Sequence, residues 1–175
     1  LAAGQNIMRR GVSMRVGGIV LSAGCQIRPI EIGVLAEVGR TTVAVSRQPT
    51  VAVLATGDEL VPAEQVPAAG QIRHSNGPML LAMAEQCGAR GIDLGIARDE
   101  EADLRTRIEA GLQADVLVLS GGVSAGVLDL VPGILRQAGV EEVFHKIGLK
   151  PGKPLWFGKR VSAEGRTTLV FGLPG

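Results

Sequence analysis

The chain has 175 residues, 46% of them hydrophobic and 20% charged, with a mean hydropathy of +0.27, a composition that excludes a disordered or solvating segment. Eighteen Lys and Arg against 17 Asp and Glu leave a net charge of +1, which gives no basic field for nucleic acid or an anionic membrane. The longest uncharged stretch, Val116 to Leu128, carries three glycines and falls short of the about 20 apolar residues that span a bilayer, so no transmembrane helix is expected.

Residues 1–47 read as part of a small β-rich lobe. Gly17 to Gly24 (GGIVLSAG) predicts a strand between turns. Pro29 to Val38 predicts a short helix with Ile30, Val34, Leu35 and Val38 on one face, and Thr42 to Val45 a second strand. No acid, base or glycine cluster there suggests chemistry. From residue 48 short apolar runs alternate with helical patterns, the signature of an α/β domain with a mostly parallel sheet in three layers. The strand Val51 to Ala55 leads, through a Pro/Gly-rich loop, to a helix that starts near Pro78 and stops at Gly88. Met79, Leu80, Met83, Ala84 and Cys87 fall on one face of that helix, which assigns Cys87 to the core. Cys25 and Cys87 lie far apart and outside any metal spacing, so neither a disulfide scaffold nor a zinc site is indicated, and a reducing cytoplasm is the default.

A strand near Ile92 to Ala97 is followed by Asp99-Glu100-Glu101, acids at a helix start, and by Leu104, Ile108 and Leu112 at helical spacing. Val116 to Leu119 (VLVL) is too apolar for a strand with a solvated face and should be central in the sheet. A helix from 128 to 138 turns Val131, Ile134, Leu135 and Ala138 inward. A strand near Val143 to Leu149 then meets the turn Lys150-Pro151-Gly152-Lys153-Pro154. The last strands, Leu155 to Gly158 and Thr168 to Phe171, should pair across a polar turn at residues 162–166. The chain starts at Leu1 and stops in the turn sequence Leu173-Pro174-Gly175, and reads as an internal piece of a longer protein.

Ligands of open α/β sheets bind beyond the carboxyl ends of the strands, near a topological switch point. Three loops occupy such positions. Thr56-Gly57-Asp58-Glu59 follows the first strand; Ser120-Gly121-Gly122-Val123-Ser124-Ala125-Gly126, with Asp129 next, follows the VLVL strand; Lys146 to Pro154 forms the third. The glycine-rich loop between a strand and a helix N-terminus suits an anion, although it matches neither G-x-G-x-x-G nor the P-loop, and a simple strand-to-helix turn also needs small residues. Asp58, Glu59 and Asp129 are three carboxylates expected to converge at one sheet edge, hard oxygen ligands suited to Mg2+ beside substrate phosphates. Lys146, Lys150 and Lys153 are point charges able to neutralise an oxyanion. Asp99 alone reads as a helix N-cap, Trp156 as a core strand position, and His74 and His145 as structural or surface residues.

Four strings in order, TGDEL (56–60), SGGVSAG-x-x-D (120–129), KPGKP (150–154) and GLPG (172–175), resemble the molybdopterin molybdenumtransferase family, which includes the gephyrin E domain. The resemblance covers essentially the whole chain. It implies a MogA-like molybdopterin-binding domain at 48–175, adenylylated molybdopterin and molybdate as substrates, molybdenum cofactor and AMP as products, Mg2+ as the assisting metal, and a homodimer. It places Asp58, Glu59, Asp129, Lys146 and Lys150 at the chemistry, with Asp58, Glu59 and Asp129 toward the metal. It places Thr56, Gly57, Asp99, Ser120, Gly121, Gly122, Ser124, Lys153, Pro154 and Pro174 against the substrate. Val127 departs from the family, which often carries an acid there, and the string ends before the usual Asn-Pro. Ligand binding with poor insertion is therefore expected of this piece alone. The neighbouring readings are a molybdopterin adenylyltransferase, which shares the fold; a competence-damage-type pyrophosphatase, against which KPGKP and GVSAG argue; and a non-catalytic, gephyrin-like scaffold.

Overall fold

The structure is a computed structural model that describes residues 4–122 and 130–174. It divides into two compact units, Leu1–Ser46 and Arg47–Gly175. The first unit holds one helix, α1 (Pro29–Glu37), opened by Arg28, whose backbone N–H donates to Glu31 Oε2 at 3.0 Å while its guanidinium pairs with the same carboxylate at 2.6 Å. Val34 and Leu35 are half-buried, but no residue of α1 is buried and Ile30 is exposed. The strands expected at 17–24 and 42–45 do not form among the described residues; turns and bends occupy the first and irregular chain the second. A run such as GGIVL becomes a strand only when a partner takes up its backbone groups, and none does so here.

The second unit is an α/β domain built on β1 (Thr50–Thr56), β2 (Leu60–Val61), β3 (Ile72–Arg73), α2 (Asn76–Gln86), β4 (Arg90–Ala97), α3 (Glu101–Gly111), β5 (Val116–Ser120), α4 (Leu130–Gln137), β6 (Glu141–His145), β7 (Trp156–Val161) and β8 (Thr167–Leu173). Six strands form one sheet in the order β4-β1-β5-β8-β7-β6. The β4, β1, β5 and β8 strands run parallel, and β7 pairs antiparallel with both neighbours. The short β2 and β3 form a separate parallel ladder. The chain leaves β1 through α2 toward β4, then crosses back over β1 through α3 to β5. The switch point therefore falls between β1 and β5.

The sheet's core face is continuous from Ala52 and Leu54 through Leu117 and Leu119 to Val170 and Trp156, and is covered by Leu104, Ile108 and Leu112 of the α3 region and Val131, Ile134 and Leu135 of α4. These are the residues that periodicity assigned inward. Trp156 is 1% exposed, and its indole Nε1–H donates to Glu142 Oε2 at 3.0 Å, which satisfies the ring's one polar group. On the opposite face Phe144, Phe157 and Phe171 line up across β6, β7 and β8 with ring centroids 5.3 and 4.8 Å apart.

Of the face expected for α2, the helix turns Leu80 and Ala84 inward but not Met79, Met83 or Cys87. Gly77, Leu80, Leu81 and Ala84 turn inward, whereas Met79 and Met83 are each 53% exposed and Cys87 lies at the surface rather than in the core. Both stripes are apolar and one residue out of phase, so helical period alone cannot choose between them. Close approach decides it: a Cβ on Gly91 of β4 would lie 3.0 Å from Leu81 Cδ2, and one on Gly77 2.0 Å from His74 Nε2. The strand expected at 143–149 starts and ends earlier, at 141–145, because Lys146 takes φ +71 and turns the chain out of the sheet.

Candidate functional site at the carboxyl edge

The four parallel strands end at one edge of the sheet, and the described candidate site residues lie along it. Backbone bonds tie neighbouring ends together: Gly57 N–H donates to Ala97 O at 3.4 Å between β1 and β4, and Gly121 N–H to Leu173 O at 3.1 Å between β5 and β8. The second bond has a consequence for the glycine loop. The Gly121 amide, expected to be open for an anion, is engaged by the last strand, directly before Pro174.

At the switch point the loops after β1 and β5 are in contact. Gly121 and Gly122 have φ of +91 and +64, the left-handed region that glycine enters without strain. A Cβ on Gly121 would lie 2.6 Å from Thr56 O, and one on Gly122 2.5 Å from Thr56 Oγ1. The paired glycines are thus required both by dihedral and by space. Thr56 is 4% exposed, and its Oγ1 is buried with no hydrogen-bond partner among the described residues. Ser120, equally buried, accepts a hydrogen bond from Asn76 Nδ2 at 2.9 Å. The sequence reading missed Asn76. Its only local signal was an amide in a helix-start string, and its partner lies 44 residues away.

Beside this crevice stand the acids. Asp58 and Glu59 are exposed on the loop after β1, and Asp58 Oδ1 accepts the backbone N–H of Asp99 at 3.3 Å. Partial desolvation raises the Asp99 pKa above its ordinary value, and the carboxylates of Asp58 and Glu59 raise it further. Asp99 is not the helix cap: Glu100 holds that position, and Asp103 of the first turn bonds the Arg98 N–H at 2.9 Å. A cleft of about 810 Å³ opens on this side, lined by Gly57, Asp58, His74, Arg98 and Glu100 among others. Ser124 and Asp129 lie outside the described residues. Among the described residues no three of His, Cys, Asp and Glu are grouped to hold a metal by themselves. The negative field of Asp58 and Glu59 at Asp99 and the hard oxygen donors of these side chains nonetheless fit Mg2+, which takes one or two carboxylates and completes its shell with water and substrate phosphate.

The lysines occupy the other wing. Ile147 N–H donates to Lys153 O at 3.0 Å, Leu155 N–H to Gly152 O at 3.1 Å and Lys146 N–H to Leu155 O at 2.8 Å, closing residues 146–155 into a compact loop that contains a cis Lys150–Pro151 bond. Lys146, Lys150 and Lys153 are exposed, Pro154 half-buried and Pro174 exposed at the end of β8. Acids and lysines therefore share the edge without touching. Three to five inter-strand steps separate them, roughly 14 to 24 Å at the 4.7–4.9 Å spacing of strands.

Residues 52–175 match the family model of a probable molybdopterin binding domain, and the chain belongs to that family. It is 40% identical over 172 residues to the molybdopterin molybdenumtransferase of Haemophilus influenzae, covering 98% of this chain and 41% of that protein. To the protein of that name from Staphylococcus aureus (strain N315) it is 39% identical over 152 residues, covering 85% of this chain and 36% of the relative. The chain thus spans about two fifths of the length of these relatives. The molybdopterin biosynthesis moeA protein of Pyrococcus horikoshii OT3 superimposes with a TM-score of 0.74 at 28% identity, over 100% of this chain and 40% of that one. The tungsten cofactor synthesizing protein MoaB of Pyrococcus furiosus shares the fold alone, with a TM-score of 0.55 at 16% identity, covering 75% of this chain and 84% of that one.

Proposed function

We propose that this chain binds adenylylated molybdopterin along the carboxyl edge of its sheet and serves in the insertion of molybdate into that pterin, with release of AMP and with Mg2+ assisting. One observation carries the reading: acids at the ends of β1 and β4 and lysines beside β6 and β7 flank the β1/β5 switch-point crevice on a single edge. An elongated ligand with a phosphoanhydride at one point and an oxyanion partner at another suits a site whose two charged wings stand roughly 14 to 24 Å apart. The names of the longer relatives favour the same reading.

In this scheme Asp58, Asp99 and Glu59 hold the metal side, with Asp129 as the further acid expected there; Mg2+, when bound, neutralises phosphate charge. Ser120 and the Gly121–Gly122 turn seat the phosphate end of the pterin. Lys146, Lys150 and Lys153 offset the charge of molybdate and of the departing phosphate, and the short loop closures hold them in place. A second copy of the chain is the proposed partner, supported by the exposure of Ile7, Met8, Val12, Val16 and Ile19 in the first unit.

Calorimetric titration with adenylylated molybdopterin, with and without Mg2+, followed by AMP release on adding molybdate, tests the proposal. Binding that tightens with Mg2+ is expected. Binding of ATP and unadenylylated molybdopterin instead would favour an adenylyltransferase, and no binding of either pterin would overturn the assignment.

A further inference from the structure

Asn76 belongs to none of the four motif strings, yet its side chain reaches the centre of the site. It opens α2, and Ser75 before it makes no side-chain cap to the helix. Its amide Nδ2–H instead crosses to Ser120 Oγ, the last residue of β5, at 2.9 Å. Asn is a weak helix former, so the position gains little from local propensity. An amide nitrogen only donates, so Ser120 Oγ accepts in this bond and its one proton is left for another acceptor.

The surroundings determine where that proton is useful. The Gly121 N–H is already bonded to Leu173 O at 3.1 Å. Thr56 Oγ1, buried beneath Gly122, is a second hydroxyl with no partner among the described residues. Among the described residues at this turn, the Gly121 N–H is thus engaged and two hydroxyls remain, one of them preset by Asn76.

We propose that Asn76 is a positioning residue: by holding Ser120 Oγ as an acceptor, it commits the Ser120 hydroxyl proton to an oxyanion bound at the Gly121–Gly122 turn. The inference rests on the ligand reading above and adds a residue to it. Asn76 touches no ligand in this scheme; it acts through Ser120.

The experiment is a double-mutant cycle on the 175-residue chain, with adenylylated molybdopterin as the probe and thermal unfolding measured alongside. Asn76→Ala should weaken binding about tenfold, the worth of one hydrogen bond to a charged group, and Ser120→Ala should weaken it at least as much. In the Ser120→Ala background Asn76→Ala should then have no further effect on affinity. Asn76→Asp, which offers Ser120 only acceptors and so draws its proton away from the ligand, should bind more weakly than Asn76→Ala. Should the alanine variant fail to fold, Asn76→Ser takes its place in the cycle. Additive losses, or unchanged affinity in a folded Asn76 variant, would overturn the inference while leaving the ligand reading intact. Failure of the unmodified chain to bind the probe would overturn the ligand reading and this inference with it.

Discussion

Asp58 Oδ1 accepts the backbone N–H of Asp99 at 3.3 Å, which joins the loops after β1 and β4 and brings two carboxylates together across 41 residues of sequence. That proximity costs stability, because desolvation and the charges of Asp58 and Glu59 raise the Asp99 pKa. A carboxyl whose folded pKa is raised binds its proton more readily in the native state. The penalty is therefore absent below the unfolded pKa of about 3.9 and grows as pH rises through the folded value. Asp99→Asn should stabilise the protein at neutral pH by about 0.5 kcal/mol, the scale of an exposed charge pair. It should also abolish the tightening of adenylylated molybdopterin binding by Mg2+. Thermal unfolding and calorimetry on one variant check both; a destabilised variant with undiminished Mg2+ dependence would assign Asp99 to structure alone.

The contact between Thr56 and the paired glycines makes a steric prediction. Gly122→Ala would place a methyl 2.5 Å from Thr56 Oγ1 and 2.8 Å from Val131 Cγ2 at a positive φ, so either the β5 loop or β1 must shift. A loss of about 2 kcal/mol in denaturant unfolding is expected, within the range for overpacking. Gly133→Ala, where an added Cβ meets nothing within 4 Å, should cost far less.

The legible parts of the fold were those where one pattern admits one solution. Val51 to Ala55 and Val116 to Leu119 are apolar on both pleats and became central strands, and Leu104, Ile108 and Leu112 fixed the buried side of α3. The α2 face was ambiguous because Met79, Met83 and Cys87 form a second apolar stripe; only the close approaches at Gly77 and Gly91 select the other one. In the first unit the apolar runs pair with no strand among the described residues. Within the site, the order of strands put Asp58 beside Asp99 and the lysines on the far wing, and neither fact follows from spacing along the chain. Asn76 was illegible for the same reason: its bond to Ser120 exists only once α2 and β5 are placed.

At the opposite edge of the sheet Asp115 holds the start of β5 to β1. It accepts from Arg47 Nη1 at 2.7 Å, with Nη2 bonded to its other oxygen, and from Thr50 N–H and Oγ1–H at 2.8 and 2.9 Å. The Arg47 guanidinium first, then the Thr50 amide, hold its carboxyl far below the usual range. Because the folded pKa is depressed, this stabilisation is present above the unfolded pKa of about 3.9 and is lost as pH falls below it. Asp115→Asn should cost about 2 kcal/mol at pH 7, as expected for hydrogen bonds to a charged group, and should flatten the acid limb of the stability curve. Urea unfolding from pH 7 down to pH 2.5 reads both.

The account stands on one ligand meeting both wings of the carboxyl edge, and the most direct test is the affinity of adenylylated molybdopterin in four variants: Asp58→Asn, Lys150→Ala, the two combined, and Lys150→Arg. With Mg2+ present, Asp58→Asn should weaken binding by loss of the metal side and Lys150→Ala by loss of a point charge, each about tenfold. Lys150→Arg should restore only part of the loss, because a planar fork replaces a compact ammonium. Losses in both single variants, with unchanged thermal unfolding, are the predicted result. Full affinity in either folded single variant would mean that the ligand does not span the edge, and would contradict the account.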